Sequence, residues 1–501
     1  MRRTSIAACA ASLAILGLFP DAAQAQTREP EFPPPSITEY QPRSTLVVPE
    51  HPVPRARFPV VDFHGHPPTL SSIENIERVI TAMDSLNIQV MVQARPSSGE
   101  RLTSQIEAVR AAGYADRFVF FASLNLRDIS PGSGAAIATQ LEEDVRAGAV
   151  GIGEIGKSFG LFTLKADGTR LEMDDPELDI VWETAARLGI PVFIHTGDPA
   201  EFFQPLDFEN ERWLEMALFQ RRRFNDRDRF ASFDDLMAER DRLLAKHPNT
   251  TWVLAHLSWY GNDLARLGKI FDEHPNVHAE AGAILYDLGR QPRFAREFFT
   301  KYQDRILFGK DSFRPDEYPY YWRVFETADE YFDYYRDYHA FWKLYGMDLP
   351  DEVLQKVYSG NAARIIPRMP DIPEPGEEPN EENVSQAEHD RRVDYVEFAT
   401  TDIEQTKRFY SEVFGWEFTD YGPEYTSFTD GRLGGGFTVA PEVVAGGPLI
   451  VLYATNLEEI ATQVLESGGQ IVKEIFEFPG GRRFHFTDPS GNELAVWSDQ
   501  S

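Results

Sequence analysis

The chain has a single cysteine, Cys9, among its 501 residues, and it is short of positive charge. One thiol forms no internal disulfide. Because Cys9 lies inside the first apolar stretch, a chain trimmed after that stretch also has no thiol nucleophile. Lys and Arg number 49 against 80 Asp and Glu, a net charge of −31. That balance argues against nucleic acid, which needs clustered cations to neutralise phosphates, and against an anionic membrane surface. Small acids remain open as substrates, since a local Arg overrides a global field. Long hydrophobic runs are scarce as well. "SIAACAASLAILGLF" (5–19) falls short of the ~20 residues of a membrane span. Arg2 and Arg3 precede it, and Ala23-Gln24-Ala25 follows as a small-x-small cleavage site. Residues 1–25 therefore read as a cleavable export signal, and the mature chain is expected in the periplasm or outside the cell. Histidine is sparse too, at eleven, so its placement is informative.

What is present is the balance of a folded protein of two domains, with 42% hydrophobic and 26% charged residues. Residues 26–57 are rich in Pro and read as an extended arm. From 58 to 367, short apolar runs alternate with amphipathic stretches. The runs are 58–66, 88–93, 117–125, 148–156, 190–197, 250–258, 276–282 and 305–312. Helical patterns between them include 73–87, 135–149, 177–189 and 233–248. Eight strands alternating with helices predict an α/β fold with a parallel sheet, and eight is the number that closes a (β/α)8 TIM barrel. An open doubly wound sheet is the alternative. The stretches 324–346 and 350–366 also read as helices. Residues 368–390 are dominated by Pro and Glu and read as a solvated linker. Beyond it, 391–499 repeats one order of strand, helix and strands twice, which predicts a smaller α+β domain of paired βαβββ modules.

Within the first domain, ionisable residues collect at strand C-terminal ends: His64 and His66 in "VDFHGHP", Glu154, His195, His256 and Asp311. In a barrel those ends share one mouth. Four imidazoles and two carboxylates converging there suit zinc or another divalent transition ion. Singly, each has a plainer reading: a strand His is commonly hydrogen-bonded core, Glu154 could be a solvated strand end, and Asp311 could cap the next helix.

The segments "VDFHGHP", "GIGEIGK", "PVFIHTGDP", "TWVLAHLS", "RILFGKDS" and "SGNAARII" together resemble the amidohydrolase superfamily, in its amidohydrolase-2 branch. The resemblance implies a metal-dependent barrel with one or two divalent ions, zinc first among them. It implies His64, His66 and His195 as ligands, and Asp311 as ligand and proton carrier. His256 would be a ligand of a second ion or a hydrogen-bond donor to substrate. "GIGEIG" is similar to a strand of TatD-like members whose Glu bridges two metals, which makes Glu154 a candidate bridge. A divalent ion lowers the pKa of bound water to about 7, chemistry that suits hydrolysis of a small-molecule amide, ester or lactone. The alternative within the family is decarboxylation of an unsaturated or aromatic acid. A third reading is a non-catalytic binding protein. Arg290, Arg95 and Trp213 are candidates for substrate contacts. Lys310 stands where the family usually has a small hydroxyl residue, and alternation should point it away from Asp311. Lys157 could be read as a carboxylated bridging lysine, but Glu154 fits a strand end better.

"VDYVEFATTDIEQTKRFYSEVFGW" and "GGRRFHFTDPSGNELAVW" resemble the vicinal oxygen chelate superfamily, which includes the glyoxalases. That family's ligand positions fall at Tyr395, near Leu449 and at Ala495, with Glu397 and Glu493 offset by two residues and His485 nearby. The C-terminal domain is therefore expected to hold no metal. Binding of a small molecule in its curved sheet, or a homodimer formed through it, are the expected roles.

Overall fold

A computed structural model describes residues 33, 36, 39–40, 42–373 and 393–499, apart from 96, 337, 339–341, 415, 430–432, 441–448, 467–468, 479–480 and 488–492. The expected export signal and most of the acidic linker lie outside the described residues. The chain divides into two units, 1–51 and 52–501. In the first, the Glu39 and Tyr40 N–H groups close a turn on the Ser36 carbonyl, and 42–50 carry no regular element.

The second unit opens with strands β1 (Val60–Gly65), β2 (Ile88–Gln93), β3 (Phe118–Phe120), β4 (Ile152–Ile155), β5 (Val192–Ile194), β6 (Trp252–Leu254), β7 (Val277–Glu280) and β8 (Ile306–Leu307). Each pairs in parallel with the next in two runs, β1 to β3 and β4 to β8. A parallel bridge between Ala122 and Ile152 joins the runs. The Phe63 N–H on the Phe308 carbonyl and the Asp311 N–H on the His64 carbonyl, both 3.0 Å, bring β8 back to β1. The α/β fold is thus a closed (β/α)8 barrel.

Alternation sorts the strand residues into two cores. Val61, Phe63, Val90, Val92, Val119, Phe121, Phe193, Val253 and Leu307 fill the interior, plugged by Ala362 and Ile366. Val60, Ile88, Phe118, Ile152, Ile194, Trp252, Val277 and Ile306 face the surrounding helices. The helices begin and end where local chemistry directs. Ser72 caps Ile73–Leu86, which buries Ile76, Val79, Ile80 and Met83 and stops at left-handed Asn87. Ser232 and Asp235 form a capping box on Phe233–Lys246. Among the described residues no helix is long and apolar enough to cross a membrane.

Two expectations need correction. The stretch 324–346 is not one helix: the helix Tyr318–Glu326 ends at Thr327, and Phe332–Asp333 (β9) then pairs antiparallel with Lys343–Leu344 (β10). Return hydrogen bonds from Gly346 N–H to Asp329 O and from Met347 N–H to Val324 O fold the segment back on itself. Its dense tyrosines suit extended backbone as well as helix. The strands are also shorter than the apolar runs. The run 250–258 leaves extended geometry after Leu254, and 305–312 leaves it after Leu307.

The remaining strands are β11 (Val393–Thr400), β12 (Glu417–Asp420), β13 (Tyr425–Thr429), β14 (Gly434–Val439), β15 (Leu449–Tyr453), β16 (Gln470–Phe478), β17 (Gly481–Thr487) and β18 (Glu493–Ser498). They form one sheet in the order β12-β13-β14-β11-β15-β18-β17-β16. Helices Ile403–Phe414 and Leu457–Glu466 follow β11 and β15. These are two βαβββ modules, joined by the antiparallel β11–β15 pair.

Candidate metal centre

Strict alternation from Phe63, which points inward, would turn His64 outward. The β1–β2 register instead shifts between Asp62 and Gly65. His64 thereby reaches the barrel mouth, its ring 4.7 Å from that of Phe193 and 5.0 Å from that of His66. A second register shift, between Ile152 and Ile155, accompanies Glu154 into the same mouth. Bulges re-aim side chains in this way beside functional sites. His195 follows inward-facing Phe193 by plain alternation. Asp311 has φ 75°, so its direction is a product of irregular backbone after β8.

The six residues meet. His66 Nε2 lies 3.0 Å from Glu154 Oε2, and His195 Nδ1 lies 2.5 Å from Glu154 Oε1. His64 Nε2 is 3.4 Å from Glu154 Oε2 and 3.8 Å from Asp311 Oδ1, and His66 Nε2 is also 3.8 Å from Asp311 Oδ1. Three overlapping trios have ligand atoms within 4.8 Å of one another: His64-His66-Asp311, Glu154-His195-His256 and His64-His256-Glu280. Among the described residues, all such groups lie in the barrel.

The electrostatics of the cluster favour added positive charge. Burial opposes protonation of His64, yet Glu280 and Glu154 outweigh it and push its pKa well above the ordinary range. Burial likewise works against His195, and Asp198 and Glu154 raise it to about 9. Burial would raise Glu154, but His64 and the hydrogen bonds from His195 and His66 hold it well below the usual carboxylate range. Among the described residues, His64 Nε2 and His195 Nε2 are buried with no hydrogen-bond partner, a costly state for a buried polar atom. Imidazole nitrogens and carboxylate oxygens in this number fit a divalent transition cation.

Glu280 is the residue that sequence reasoning missed. Fully buried on β7, it accepts from His64 Nδ1 at 2.8 Å, from the His256 N–H at 2.7 Å and from the Gly282 N–H at 2.6 Å. This fixes the tautomer of His64, protonated on Nδ1 with Nε2 turned to the mouth, the arrangement of a carboxylate-oriented metal ligand. The signal was an acid inside the apolar strand "NVHAEAG". Gly309 is its complement: a Cβ there would lie 2.3 Å from Glu280 Oε2 and 2.7 Å from His64 Cβ.

His256 begins a run of four left-handed residues, His256 to Trp259, with φ of 55°, 48°, 60° and 55°. Such backbone costs about 1–2 kcal/mol per residue without glycine. Hydrogen bonds hold the run in place: His256 N–H to Glu280, Arg240 to Ser258 Oγ, and Trp259 Nε1–H to the Gly197 carbonyl at 3.3 Å. Strain of this kind gathers at functional sites. His256 Nδ1 donates to the Gly282 carbonyl at 2.9 Å, and burial, then His195, lowers its pKa to about 4. The neutral ring therefore presents Nε2 as an acceptor. Trp259 stacks on His256 at 4.4 Å and walls the site.

The other candidates have partners of their own, and one of them, Lys157, reaches the cluster through Asp198, which lies 3.7 Å from His195 Nε2. Arg290 pairs with Glu211 at 3.2 Å and with Asp287 at 2.9 Å and lies 3.7 Å over the Trp342 ring, so its charge is already met. Trp213 packs near Phe208 in its own loop at 6.4 Å. Arg95 is exposed, its N–H on Gln93 Oε1. Lys157 Nζ lies 2.6 Å from Asp198, and Lys310 turns away from Asp311 to Glu317, also at 2.6 Å. In the C-terminal sheet, Tyr395, Glu397 and Val451 line a cavity of about 550 Å³. Leu449 is paired with Glu397 across the β11–β15 ladder, and Ala495 with Val451 across β15–β18. His485 Nδ1 lies 3.0 Å from Glu493.

Comparison with known proteins follows the same division of the chain. Residues 61–368 match the family model described as amidohydrolase. Residues 392–496 match that of the glyoxalase, bleomycin resistance protein and dioxygenase superfamily. The proteins named glyoxylase CFP32 from Mycobacterium bovis and Mycobacterium tuberculosis are each 28% identical over 117 residues, which is 21% of this chain. The chain spans 44% of the length of these curated relatives. Among solved structures, an uncharacterized TIM-barrel protein from Bordetella bronchiseptica aligns over 61% of this chain and 97% of its own, at 17% identity and TM-score 0.38. A 2,6-dihydroxybenzoate decarboxylase aligns over 62% and 99%, at 16% identity and TM-score 0.37.

Proposed function

The chain belongs to the amidohydrolase family, and on that premise we propose that its barrel hydrolyses a small-molecule amide, ester or lactone. The observation that carries this reading is the convergence of His64, His66, Glu154, His195 and Asp311 at one mouth, where the buried Nε2 atoms of His64 and His195 face the Glu154, Asp311 and Asp198 carboxylates at 3.4–3.8 Å without a hydrogen bond among the described residues. These five residues would hold a divalent cation, zinc being the expected one, with His256 completing a second position beside Glu154 and His195. Such a cation supplies Lewis acidity toward a carbonyl and lowers the pKa of water.

The chain's own groups supply the rest. Glu280 keeps His64 in the tautomer that offers Nε2. Asp311 is held ionised: burial would raise its pKa, but the charge on His64 lowers it. Its side chain is partly exposed toward the mouth, so Asp311 can take a proton from water and return it to a leaving group. His256 Nε2 can accept a second proton or ligate. Trp259 shields the centre on one side. The export reading of residues 1–25 adds a proposed location outside the cytoplasm.

The test has two parts. Elemental analysis of chain purified without chelators should find one or two transition ions, and failure to bind zinc or manganese on reloading would remove the metal-dependent reading. Against panels of lactones, amides and aromatic acids, Asp311→Asn should lower kcat by about 10²–10⁴-fold with Tm unchanged. Carbon dioxide release from an aromatic acid, with no hydrolysis, would replace hydrolase by decarboxylase.

A further inference from the structure

The backbone is irregular at both His64 and Asp311. β1 shifts register between Asp62 and Gly65. The chain leaves extended geometry after Leu307 and reaches φ 75° at Asp311. Backbone that departs from a sheet ladder leaves N–H groups that need other acceptors. One carboxylate supplies them to both segments. Asp62 is fully buried, and alternation with inward-facing Val61 and Phe63 turns it out of the barrel interior. Its Oδ1 accepts the His64 N–H and the Lys310 N–H, each at 3.1 Å. The same two segments meet directly through the Asp311 N–H on the His64 carbonyl at 3.0 Å.

The start of the helix Tyr318–Glu326 secures this junction from the outer layer. Tyr318 is fully buried, and its Oη donates to Asp62 Oδ2 at 2.6 Å. One residue earlier, Glu317 Oε2 takes Lys310 Nζ at 2.6 Å. Lys310, whose place the resembled family usually fills with a small hydroxyl residue, is thus held by backbone and side chain together. All three partners of Asp62 donate, which suits a carboxylate, an acceptor at both oxygens. Buried donors that lose their acceptor are costly, so removal of this one group should relax both segments at once. A ligand set tolerates displacements of only about 0.5 Å.

We propose that Asp62 is a positioning residue for the metal centre: it locks the His64 backbone to the segment that carries Asp311, and Tyr318 holds its carboxylate in place. The role rests on reading the barrel mouth as a metal centre. It differs from that of Glu280, which orients the His64 ring; Asp62 acts on the backbones beneath two ligands.

The test is cobalt(II) loading of the full chain, read by the visible absorption bands that report coordination, together with zinc affinity from chelator competition. Asp62→Ala should change the bands and lower zinc affinity at least about tenfold. Asp62→Asn keeps an oxygen for the two N–H groups and should restore the wild-type bands, with affinity within a few-fold. Tyr318→Phe keeps the ring packing and should lower affinity a few-fold. As a control, Tyr358→Phe removes the bond of a second buried tyrosine–carboxylate pair, Tyr358 Oη to Glu326 at 2.8 Å, and should leave both readouts unchanged. If Asp62→Ala proves unfolded by Tm, Tyr318→Phe decides the matter. Wild-type bands and affinity in the deciding variant would overturn the role, as would an equal loss in Tyr358→Phe, which would mark a general structural effect. A wild-type chain that takes up neither cobalt nor zinc would instead overturn the metal centre itself, and this role with it.

Discussion

The barrel mouth and the hollow of the C-terminal sheet draw on similar side chains and use them in opposite ways. At the mouth, imidazole and carboxylate atoms converge while His64 Nε2 and His195 Nε2 are buried without a hydrogen bond among the described residues. In the hollow, Glu397 gathers the neighbouring donors, although Arg483 Nε is left without a hydrogen bond among the described residues. Arg483 donates to Glu397 at 3.2 Å, Tyr425 donates to the same Glu397 oxygen at 3.0 Å, and Tyr395 donates to the Gly435 carbonyl at 2.5 Å. Phe478 and Trp497 complete an aromatic lining. The difference lies in register. Two residues along a strand keep the face but move a side chain by about 7 Å, so Glu397 meets Arg483 and Tyr425 rather than a cluster of imidazoles. A metal centre requires donors held together with their lone pairs unused, and composition alone does not supply that.

Three substitutions probe this contrast. The largest effect is expected from Glu280→Gln, which replaces one of two carboxylate acceptors by an amide N–H₂ facing other N–H groups. Affinity for zinc should fall about 10–100-fold, read by chelator competition. An unchanged affinity would mean that Glu280 does not orient His64.

His278, two residues earlier on β7, gives a pH signature of the same interior away from the mouth. Burial first, then Arg305 and Arg364, lower its pKa from 6.5 to about 3. Between those values the unfolded chain binds the proton and the folded chain does not, so stability falls as the pH falls. This group should cost about 1 kcal/mol in the first pH unit below 6.5 and about 1.4 kcal/mol per unit thereafter, until about pH 3. Denaturant melts of His278→Gln should show a shallower acid slope than wild type, and parallel slopes would refute the assignment.

Glu397→Gln should have the smallest effect. It weakens the Arg483 pair by about 1 kcal/mol, seen as a small shift of the denaturant midpoint, while metal content and kcat stay at wild-type values. Loss of bound metal would show that the hollow, and not only the barrel, contributes to the centre.

Much of the architecture was legible in order and spacing. The eight apolar runs alternate with helices, and each of the six candidate ligands falls in the last three residues of such a run. Periodicity requires nothing more than burial on one face or both. The limits appear where periodicity stops. The tyrosines of 324–346 satisfied a helical reading, but tertiary hydrogen bonds turned the segment into a hairpin. The inward aim of His64 and Glu154 depends on register shifts, and that of His256 and Asp311 on positive φ. None of these leaves a mark in a single sequence, because their cost is met by contacts from distant strands.

The sequence by itself therefore determined the repeating order of elements, the two-module tail and the small set of residues able to serve a cation, since these follow from local hydrophobic pattern and side-chain chemistry. Only the tertiary structure decided which way those side chains face, that Glu280 orients one of them and that Arg290 is already paired. Direction and compensation are properties of neighbours brought together by folding. A buried charge or an unpaired nitrogen acquires its meaning from what surrounds it.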